Sequence, residues 1–243
     1  LKSVSFSAGI KEIGGKAFSN CKALETLTLP KNLENIDDEA FLNCKALKSL
    51  SLPKNLKNLG DKAFSNCTAL KSLGFSNNVK RIGSSAFSNC KSLKSVIIPK
   101  SAKYISDKAF SDCSALKSIK FLSNETDVGE KVFYNTAYYK NSSNWTNNVL
   151  YIGKILIHAK SKISGTYKIP SGTKTIASCA FYNCRSLTGI TIPESVTSIG
   201  ISAFAGCKKL KKISVGSLVE CIDNNTFYGS AYCNDSSNWK GNV

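Results

Sequence analysis

Apolar side chains recur along this chain at every twenty-third position. In one such repeat, Leu50 and Leu52 flank a serine, and this alternation predicts a short, half-buried strand. Pro53 ends that strand because proline has no backbone N–H for a sheet ladder. The segment from Leu56 to Leu59 predicts a second short extended or turn segment, and Ala40–Phe41 heads a tight helical turn. Since one coil cannot bury these side chains alone, the repeat predicts a stack of coils, a solenoid.

Two columns of residues carry the period. The cysteines are spaced by one full period in two runs, and the phenylalanines follow the same rhythm. The cysteine column is Cys21, Cys44, Cys67, Cys90 and Cys113, then Cys184 and Cys207, and the phenylalanine column is Phe18, Phe41, Phe64, Phe87, Phe110 and Phe133, then Phe181, Phe204 and Phe227. Because every coil repeats the same slots, the chain is expected to form one continuous array.

One interruption divides the array. The step from Phe133 to Phe181 is two positions longer than two periods, and it holds a polar, aromatic insert. This insert returns near the end of the chain, where Trp239 repeats Trp145. The pattern therefore predicts a single solenoid over 1–243, taken as a fragment of a longer protein. Its predicted parts are regular coils over 1–134, an irregular insert and coil over 135–170, regular coils over 171–229, and the start of a second insert over 230–243.

The repeat resembles a known family. The stretch from Leu187 to Cys207 reads Leu-x-x-Ile-x-Ile-Pro-x-x-Val-x-x-Ile-Gly-x-x-Ala-Phe-x-x-Cys, and this sequence is similar to the BspA-like leucine-rich repeat. The resemblance covers about nine coils. It implies a right-handed α/β-type solenoid with short parallel strands on a concave face and turns, short strands or single helical turns on the others. It also implies a secreted or surface protein of bacteria or protozoan parasites that binds other macromolecules.

The cysteine column is interpreted as structural. Metal sites favour Cys-x-x-Cys or mixed Cys and His groups, which the chain lacks. Equivalent slots on neighbouring coils point the same way, which fits disulfide geometry poorly. The column therefore predicts buried free thiols acting as small apolar side chains. Cys179, Cys221 and Cys233 lie outside the column, and whether they form disulfides is left open.

The outward slots of the first strand suggest a binding face. They carry small hydroxyl side chains beside a column of lysines. The ammonium groups of neighbouring coils repel each other, and an anionic partner would reduce that repulsion. The alternative is a soluble rim, because a second basic column (Lys11, Lys57, Lys80 and Lys103) lies on another edge. The candidate binding face is Lys48, Ser49, Ser51, Lys71, Ser72, Lys94, Ser95, Lys117, Ser118 and Lys120.

The insert supplies a second candidate contact. Tyr138, Tyr139 and Trp145 lie in an Asn- and Ser-rich segment, and Tyr and Trp are enriched at interface hot spots and have apolar rings. The structural alternative is that Trp145 packs back onto the irregular coil and seals it.

Composition narrows the function further. The chain has 33 Lys and Arg against 16 Asp and Glu, a net charge of +17, and only one histidine, His158. No nucleophile motif, paired-carboxylate cleft or phosphate loop accompanies that histidine, so neither an enzyme nor a cofactor is expected. Nor is nucleic-acid binding, because no strand alternates aromatic and basic residues. No apolar stretch is long enough to span a bilayer, so no transmembrane segment is predicted.

The sequence thus predicts an extracellular or cell-surface, non-enzymatic adhesion or protein-binding module. Its partner would be a host or matrix protein, or an acidic glycan, bound through the concave face. Two alternatives stay open: a structural spacer or display array, and a charge-driven binder of glycosaminoglycan or another polyanion. Salt distinguishes the charge-driven binder, because screening weakens exposed charge contacts.

Overall fold

A computed structural model describes residues 1–235 of the 243-residue chain. The described chain is a parallel β-solenoid of about ten turns with ~23-residue repeats and little helix, as the period predicts. It divides into two compact units, one of Leu1–Thr126 and Lys131–Ser142, the other of Asp127–Glu130 and the chain from Ser143 on. The predicted continuity of a single solenoid over 1–243 stays a prediction.

Each regular coil of the first unit contributes two short strands. Its elements are β1 Ser3–Ser5, β2 Glu12–Ile13, β3 Thr26–Thr28, β4 Asn35–Ile36, β5 Ser49–Ser51, β6 Asn58–Leu59, β7 Ser72–Gly74, β8 Arg81–Ile82, β9 Ser95–Ile98, β10 Tyr104–Ile105, β11 Ser118–Phe121 and α1 Ala137–Lys140. The odd-numbered strands are the predicted first strands and the even-numbered ones are the second. Both sets alternate outward and buried residues, which places the core between them.

The strands pair in parallel with one-period register. The first strands pair as β1–β3, β5–β7 and β9–β11, with Ser49 beside Ser72. Among the second strands, Leu59 pairs with Ile82. The second strands β2, β4, β6, β8 and β10 are hydrogen-bonded in that order. Neighbouring coils are therefore stacked in identical orientation, so each slot of the sequence becomes a straight column on the surface or in the core.

The turn that follows the second strand is not helical, and this corrects the predicted helical turn at Ala40–Phe41. The backbone there bonds to the next coil: Phe41 N–H donates to the Ala63 carbonyl over 2.8 Å, and Asn43 N–H donates to the Ser65 carbonyl over 2.9 Å. The helical segments of the described residues lie in the inserts, as α1, a 3₁₀ turn at Ser142–Asn144, and one short helix of the second unit.

The second unit contains the irregular coil followed by regular ones. Its elements are β12 Asp127–Val128, β13 Trp145–Thr146, β14 Val149–Ile152, β15 Ile155–Ala159, β16 Ser164–Lys168, β17 Thr175–Ile176, β18 Ser186–Ile192, β19 Ser198–Ile199, β20 Lys212–Val215, β21 Cys221–Ile222 and α2 Ala231–Asn234. Strands β13, β14 and β15 form an antiparallel meander, and β15 then pairs in parallel with β17. The insert is thus joined to the regular sheet through β15.

The core is built from the repeating apolar slots. In the first unit Phe41, Phe64 and Phe87 are fully buried and stack with ring centroids 5.0 and 5.6 Å apart and planes 5° and 3° apart. Phe181 and Phe204 repeat this stack in the second unit, with centroids 5.0 Å apart. Each coil therefore supplies one ring to a column that no single coil could bury.

Candidate binding surface

The candidate face lies on the first strands of the first unit. We call Lys48, Ser49, Ser51, Lys71, Ser72, Lys94, Ser95, Lys117, Ser118 and Lys120 the lysine–serine strip, and every member is exposed. The strip is outward because alternate residues of each strand, such as Leu50 and Val96, point into the core and are buried. Strand pairing sets Ser95 beside Ser118, so the structure brings these residues together on one face.

The lysines of the strip differ in their ion pairs. Lys48 Nζ lies 2.6 Å from Glu25 Oε2, one coil away, so its charge is compensated. Within residues 1–235, Lys71, Lys94 and Lys117 have no carboxylate partner. At the ~4.8 Å strand spacing, neighbouring ammonium groups in water repel by somewhat under ~1 kcal/mol. The fold tolerates that repulsion, and an anion bound along the strip would remove it.

The surroundings of the strip are one-sided in charge. Residues 62–106, nearly two full coils, contain no Asp or Glu, and their basic residues are Lys62, Lys71, Lys80, Arg81, Lys91, Lys94, Lys100 and Lys103. We call this segment the basic band. Sequence reasoning based on columns missed it, because each column mixes coils. A charge count in a window of two periods would have found it.

The second basic column faces a different edge. Lys57 Nζ lies 2.6 Å from Glu34 Oε2, and this hydrogen bond is the main cause that lowers the pKa of Glu34. Lys80 and Lys103 precede the second strands and are exposed. They occupy the same relation to β8 and β10 that Lys94 and Lys117 have to β9 and β11, which makes them matched controls for the strip.

A cleft of about 450 Å³ lies beside the second strands. Its aspartates have structural roles: Asp38 Oδ1 accepts the Asp61 N–H over 2.6 Å, and Asp61 Oδ1 accepts the Ser84 N–H over 2.8 Å. Each carboxylate thus accepts a backbone N–H of the next coil and stabilises the turn there.

The tyrosines of the insert lie on α1 in the first unit. Thr136 Oγ1 caps this helix by accepting the Tyr139 N–H over 3.0 Å. The Tyr139 ring meets the exposed Tyr134 ring edge-on at 5.3 Å, and burial is the main cause that raises the pKa of Tyr138 and Tyr139. Both candidate tyrosines are half-buried, so each presents only part of its ring to a partner.

Trp145 lies in the second unit, on β13. Lys160 Nζ lies 4.5 Å from the centre of its ring, a cation–π distance, and the His158 ring lies edge-on at 6.1 Å. Both partners come from the irregular coil or its end, which is what the packing interpretation of Trp145 expects. The lysine contact was not predicted, because β14 and β15 separate Lys160 from Trp145 along the chain and only the meander brings them together. Trp239 lies outside the described residues.

The cysteine column is buried apart from the half-buried Cys21, and its members are thiols. All ten cysteines of the chain lie in its described part, and the structure joins none of them in a disulfide. Cys44 Sγ donates to the Phe18 carbonyl over 3.3 Å, and Cys113 Sγ donates to the Phe87 carbonyl over 3.1 Å. Burial raises the pKa of Cys44 to about 12, so its thiol is protonated at neutral pH. The column therefore stabilises the coils, as its sequence pattern indicates.

Residues 1–235 were also considered as a metal-binding or membrane-spanning part of the protein. They contain no cluster of three or more His, Cys, Asp or Glu side chains placed to hold a metal ion. None of their helices has the length and apolar character needed to cross a bilayer.

Comparison with known proteins identifies a family and solved structures that resemble this chain. The model of the BspA type leucine-rich repeat region matches six copies over residues 1–114, 34–164 and 158–240. No curated protein matches the chain. Among solved structures, a leucine-rich cell surface protein of Faecalibacterium prausnitzii is 27% identical with a TM-score of 0.52, covering 93% of this chain and 71% of its own.

Two other bacterial structures are similar. A leucine-rich repeat protein of Bacteroides ovatus is 20% identical with a TM-score of 0.50, and the alignment covers 94% of this chain and 64% of that one, so it shows the fold alone. The T. pallidum leucine-rich repeat protein is 25% identical with a TM-score of 0.49, covering 86% and 78%. Family and fold suggest a protein-binding repeat module, and solenoids of this type typically bind rather than catalyse. The chain belongs to the BspA type leucine-rich repeat family.

Proposed function

We propose that this chain is an extracellular or cell-surface, non-enzymatic adhesion module that contacts host or matrix macromolecules through the lysine–serine strip. The observation that carries the proposal is the strip itself: exposed hydroxyl side chains in register on neighbouring strands, beside three lysines without carboxylate partners within residues 1–235. Small side chains let a large partner approach the sheet, and the lysines supply polar contacts at its margin.

Rigidity supports this role. The strip is carried on strands whose core residues, such as Leu50 and Val96, are buried and stacked between neighbouring coils. A surface that is already ordered loses little conformational entropy when it binds. Repeat stacking also extends such a surface without any new fold, which is how solenoids form long binding faces.

The proposed location rests on the family and on one relative. The Faecalibacterium prausnitzii structure, 27% identical over 93% of this chain, is that of a leucine-rich cell surface protein. An extracellular location would place the strip where matrix macromolecules are accessible.

The test is binding of the purified chain to a panel of immobilised matrix proteins at low and at physiological salt. The variant Ser72→Tyr/Ser95→Tyr fills the face without changing its charge. Its control, Asn55→Tyr/Asn77→Tyr, places the same rings in exposed turns away from the strip. We expect binding at physiological salt that the first variant abolishes and the control retains. Equal loss in both variants, or no binding to any matrix protein, would overturn the proposal, and the latter would favour a display array.

A further inference from the structure

We propose that the lysine–serine strip binds a linear sulfated polysaccharide that lies across successive coils. This inference rests on the proposed function, because it assigns a ligand chemistry to the same surface. It follows from the spacing of charged groups along the strip and from the absence of aromatic and arginine side chains among its residues.

Charge along the strip is regularly spaced. Lys71, Lys94 and Lys117 stand on consecutive coils, one ammonium group per coil, and none has a carboxylate partner within residues 1–235. The compensated pair of Lys48 and Glu25 bounds this run on one side. On the other side Lys120 adds a further exposed cation on β11. The run therefore presents evenly spaced positive charges in a line along the stack.

The setting of that line strengthens its field. It crosses the basic band, residues 62–106, where no Asp or Glu occurs to repel an anion. Lys62 and Arg81 of the band pair with carboxylates outside it, Glu39 and Asp61. The excess of positive charge that remains raises the local potential, and that potential attracts a polyanion from a distance. A ligand with a charge on each successive unit, as a sulfated polysaccharide has, can neutralise one ammonium group per coil.

Hydrogen-bonding groups accompany each charge. Each of these lysines is followed by a serine on the strand, at Ser72, Ser95 and Ser118, and all three side chains are exposed. A hydroxyl and an ammonium group in adjacent positions both donate to sulfate oxygens. Hydroxyls also donate to and accept from sugar hydroxyls, so the pair suits a ligand that alternates charge and hydroxyl groups.

The composition of the face favours a polysaccharide over an acidic protein or a nucleic acid. The next outward residues along the strands are Ser51, Gly74, Ile97 and Lys120, of which one is a large apolar side chain and none is aromatic or arginine. Protein interfaces concentrate their energy in aromatic and arginine anchors held in pockets. Single-stranded nucleic acids need aromatic platforms for base stacking. The strip has neither, so charge and hydroxyl contacts carry the binding.

The experiment measures affinity for heparin oligosaccharides of defined length by calorimetry at several salt concentrations. Two charge-reversed variants are compared with the native chain. Lys94→Glu/Lys117→Glu changes the strip, and Lys80→Glu/Lys103→Glu makes the same change in net charge on the other edge. All four lysines are exposed, so neither variant removes a buried side chain. An unfolding curve of each variant serves as the control for folding.

We expect the strip variant to lose affinity by about tenfold or more while the control changes by less than about threefold, since screened charges act mainly at short range. The slope of log affinity against log salt should be about 2–3 in magnitude in the native chain, one released counterion for each of the three lysines engaged, and should fall in the strip variant. Unsulfated hyaluronan should bind more weakly.

Three results would overturn the inference. Equal loss in both variants would show attraction by net charge alone. No heparin binding, or tighter binding of poly-glutamate or a single-stranded oligonucleotide, would reject a sulfated glycan as the ligand. If heparin fails in one of these ways while a matrix protein binds and Ser72→Tyr/Ser95→Tyr abolishes that binding, the inference fails and the proposed function stands.

Discussion

At the scale of single residues, the fold depends on two columns of left-handed backbone. Asn43 has φ of 62°, and the same turn contains Glu39 with φ of 57°. Asparagine tolerates this region better than most residues, which explains why it repeats once per coil. Glycine takes the same slot at Gly206 and Gly229. The asparagine column is Asn20, Asn43, Asn66, Asn89, Asn135 and Asn183, with Asp112. The second column stands four positions earlier in each coil and is Lys16, Glu39, Lys62, Ser85, Lys108, Lys131, Cys179, Ser202 and Asn225.

The first prediction concerns Asn43. Its Nδ2 donates to Asn20 Oδ1 over 2.9 Å. Its φ of 62° lies in the left-handed region, which is strained for residues that favour right-handed backbone more strongly than asparagine does. Asn43→Ala should lower the free energy of unfolding by about 1–2 kcal/mol, measured by urea denaturation. Asn43→Gly should cost less, because glycine adopts positive φ freely. Both variants lose the side-chain bond, so a larger loss for glycine than for alanine would contradict the backbone explanation.

The second prediction concerns pH. Burial raises the pKa of Cys44 to about 12, whereas an unfolded thiol titrates near ~8.5. Because the folded pKa is the higher one, the stability it contributes is complete below ~8.5 and is lost as pH rises toward about 12. Between those values the unfolded chain should release about one more proton per buried thiol. Comparing the pH dependence of unfolding in the native chain and in Cys44→Ala measures this, and identical slopes would contradict it.

At the scale of elements, backbone bonds hold neighbouring coils together at the strands and at the turn. The second strands β2 to β10 pair without a break, whereas the first strands pair as β1–β3, β5–β7 and β9–β11. The turn adds bonds such as Phe64 N–H to the Ala86 carbonyl over 2.8 Å. At one corner, the stacking of some coils leaves no room for a side chain. A Cβ built on Gly83 would lie 2.5 Å from the backbone of Gly60, whereas one on Gly74, in β7, would meet nothing within 4 Å.

The third prediction uses this pair of glycines. Gly83→Ala should force two coils apart and lower the unfolding free energy by about 1–3 kcal/mol, the range for overpacking. Gly74→Ala should be neutral or slightly stabilising, because it removes backbone entropy from the unfolded chain without a clash. Thermal and urea unfolding of both variants test this. Similar midpoints for the two would mean that the coils do not approach as closely as the structure shows.

The elements also show what the sequence could predict. The repeat period located both strands of a coil, as with Ser49–Ser51 and Asn58–Leu59, and the buried column through Phe64. It did not reveal the non-helical turn, because bonds such as Phe41 to Ala63 depend on the neighbouring coil and leave no local pattern. The meander β13–β15 was also missed as such, since a single insert has no repeat to compare.

For the candidate surface, the outward slots were predictable from alternation alone, and the structure places the lysine–serine strip on them. The ion pair of Lys48 with Glu25 was not predicted, because it depends on two rotamers on adjacent coils. Its consequence is a shorter run of uncompensated charge than the lysine column suggests. Which residues contact a partner stays a prediction.

At the scale of the whole molecule, the charge is unevenly distributed. The chain carries a net +17, but ion pairs such as Lys57 with Glu34 and Lys62 with Glu39 neutralise part of it locally. The basic band over 62–106 contains no Asp or Glu of its own to compensate its charge. Association with an anionic partner should therefore depend on this part of the first unit more than on the total charge.

The most direct test of the central claim is a lysine-acetylation footprint of the native chain, free and bound to a matrix protein that it recognises. Peptide mass spectrometry then reports the modification of each lysine. We expect Lys71, Lys94 and Lys117 to become protected in the complex while Lys80 and Lys103, also exposed in the free chain, are modified as before. Protection of Lys80 and Lys103 with continued modification of the strip would contradict the claim and place the contact on the second strands.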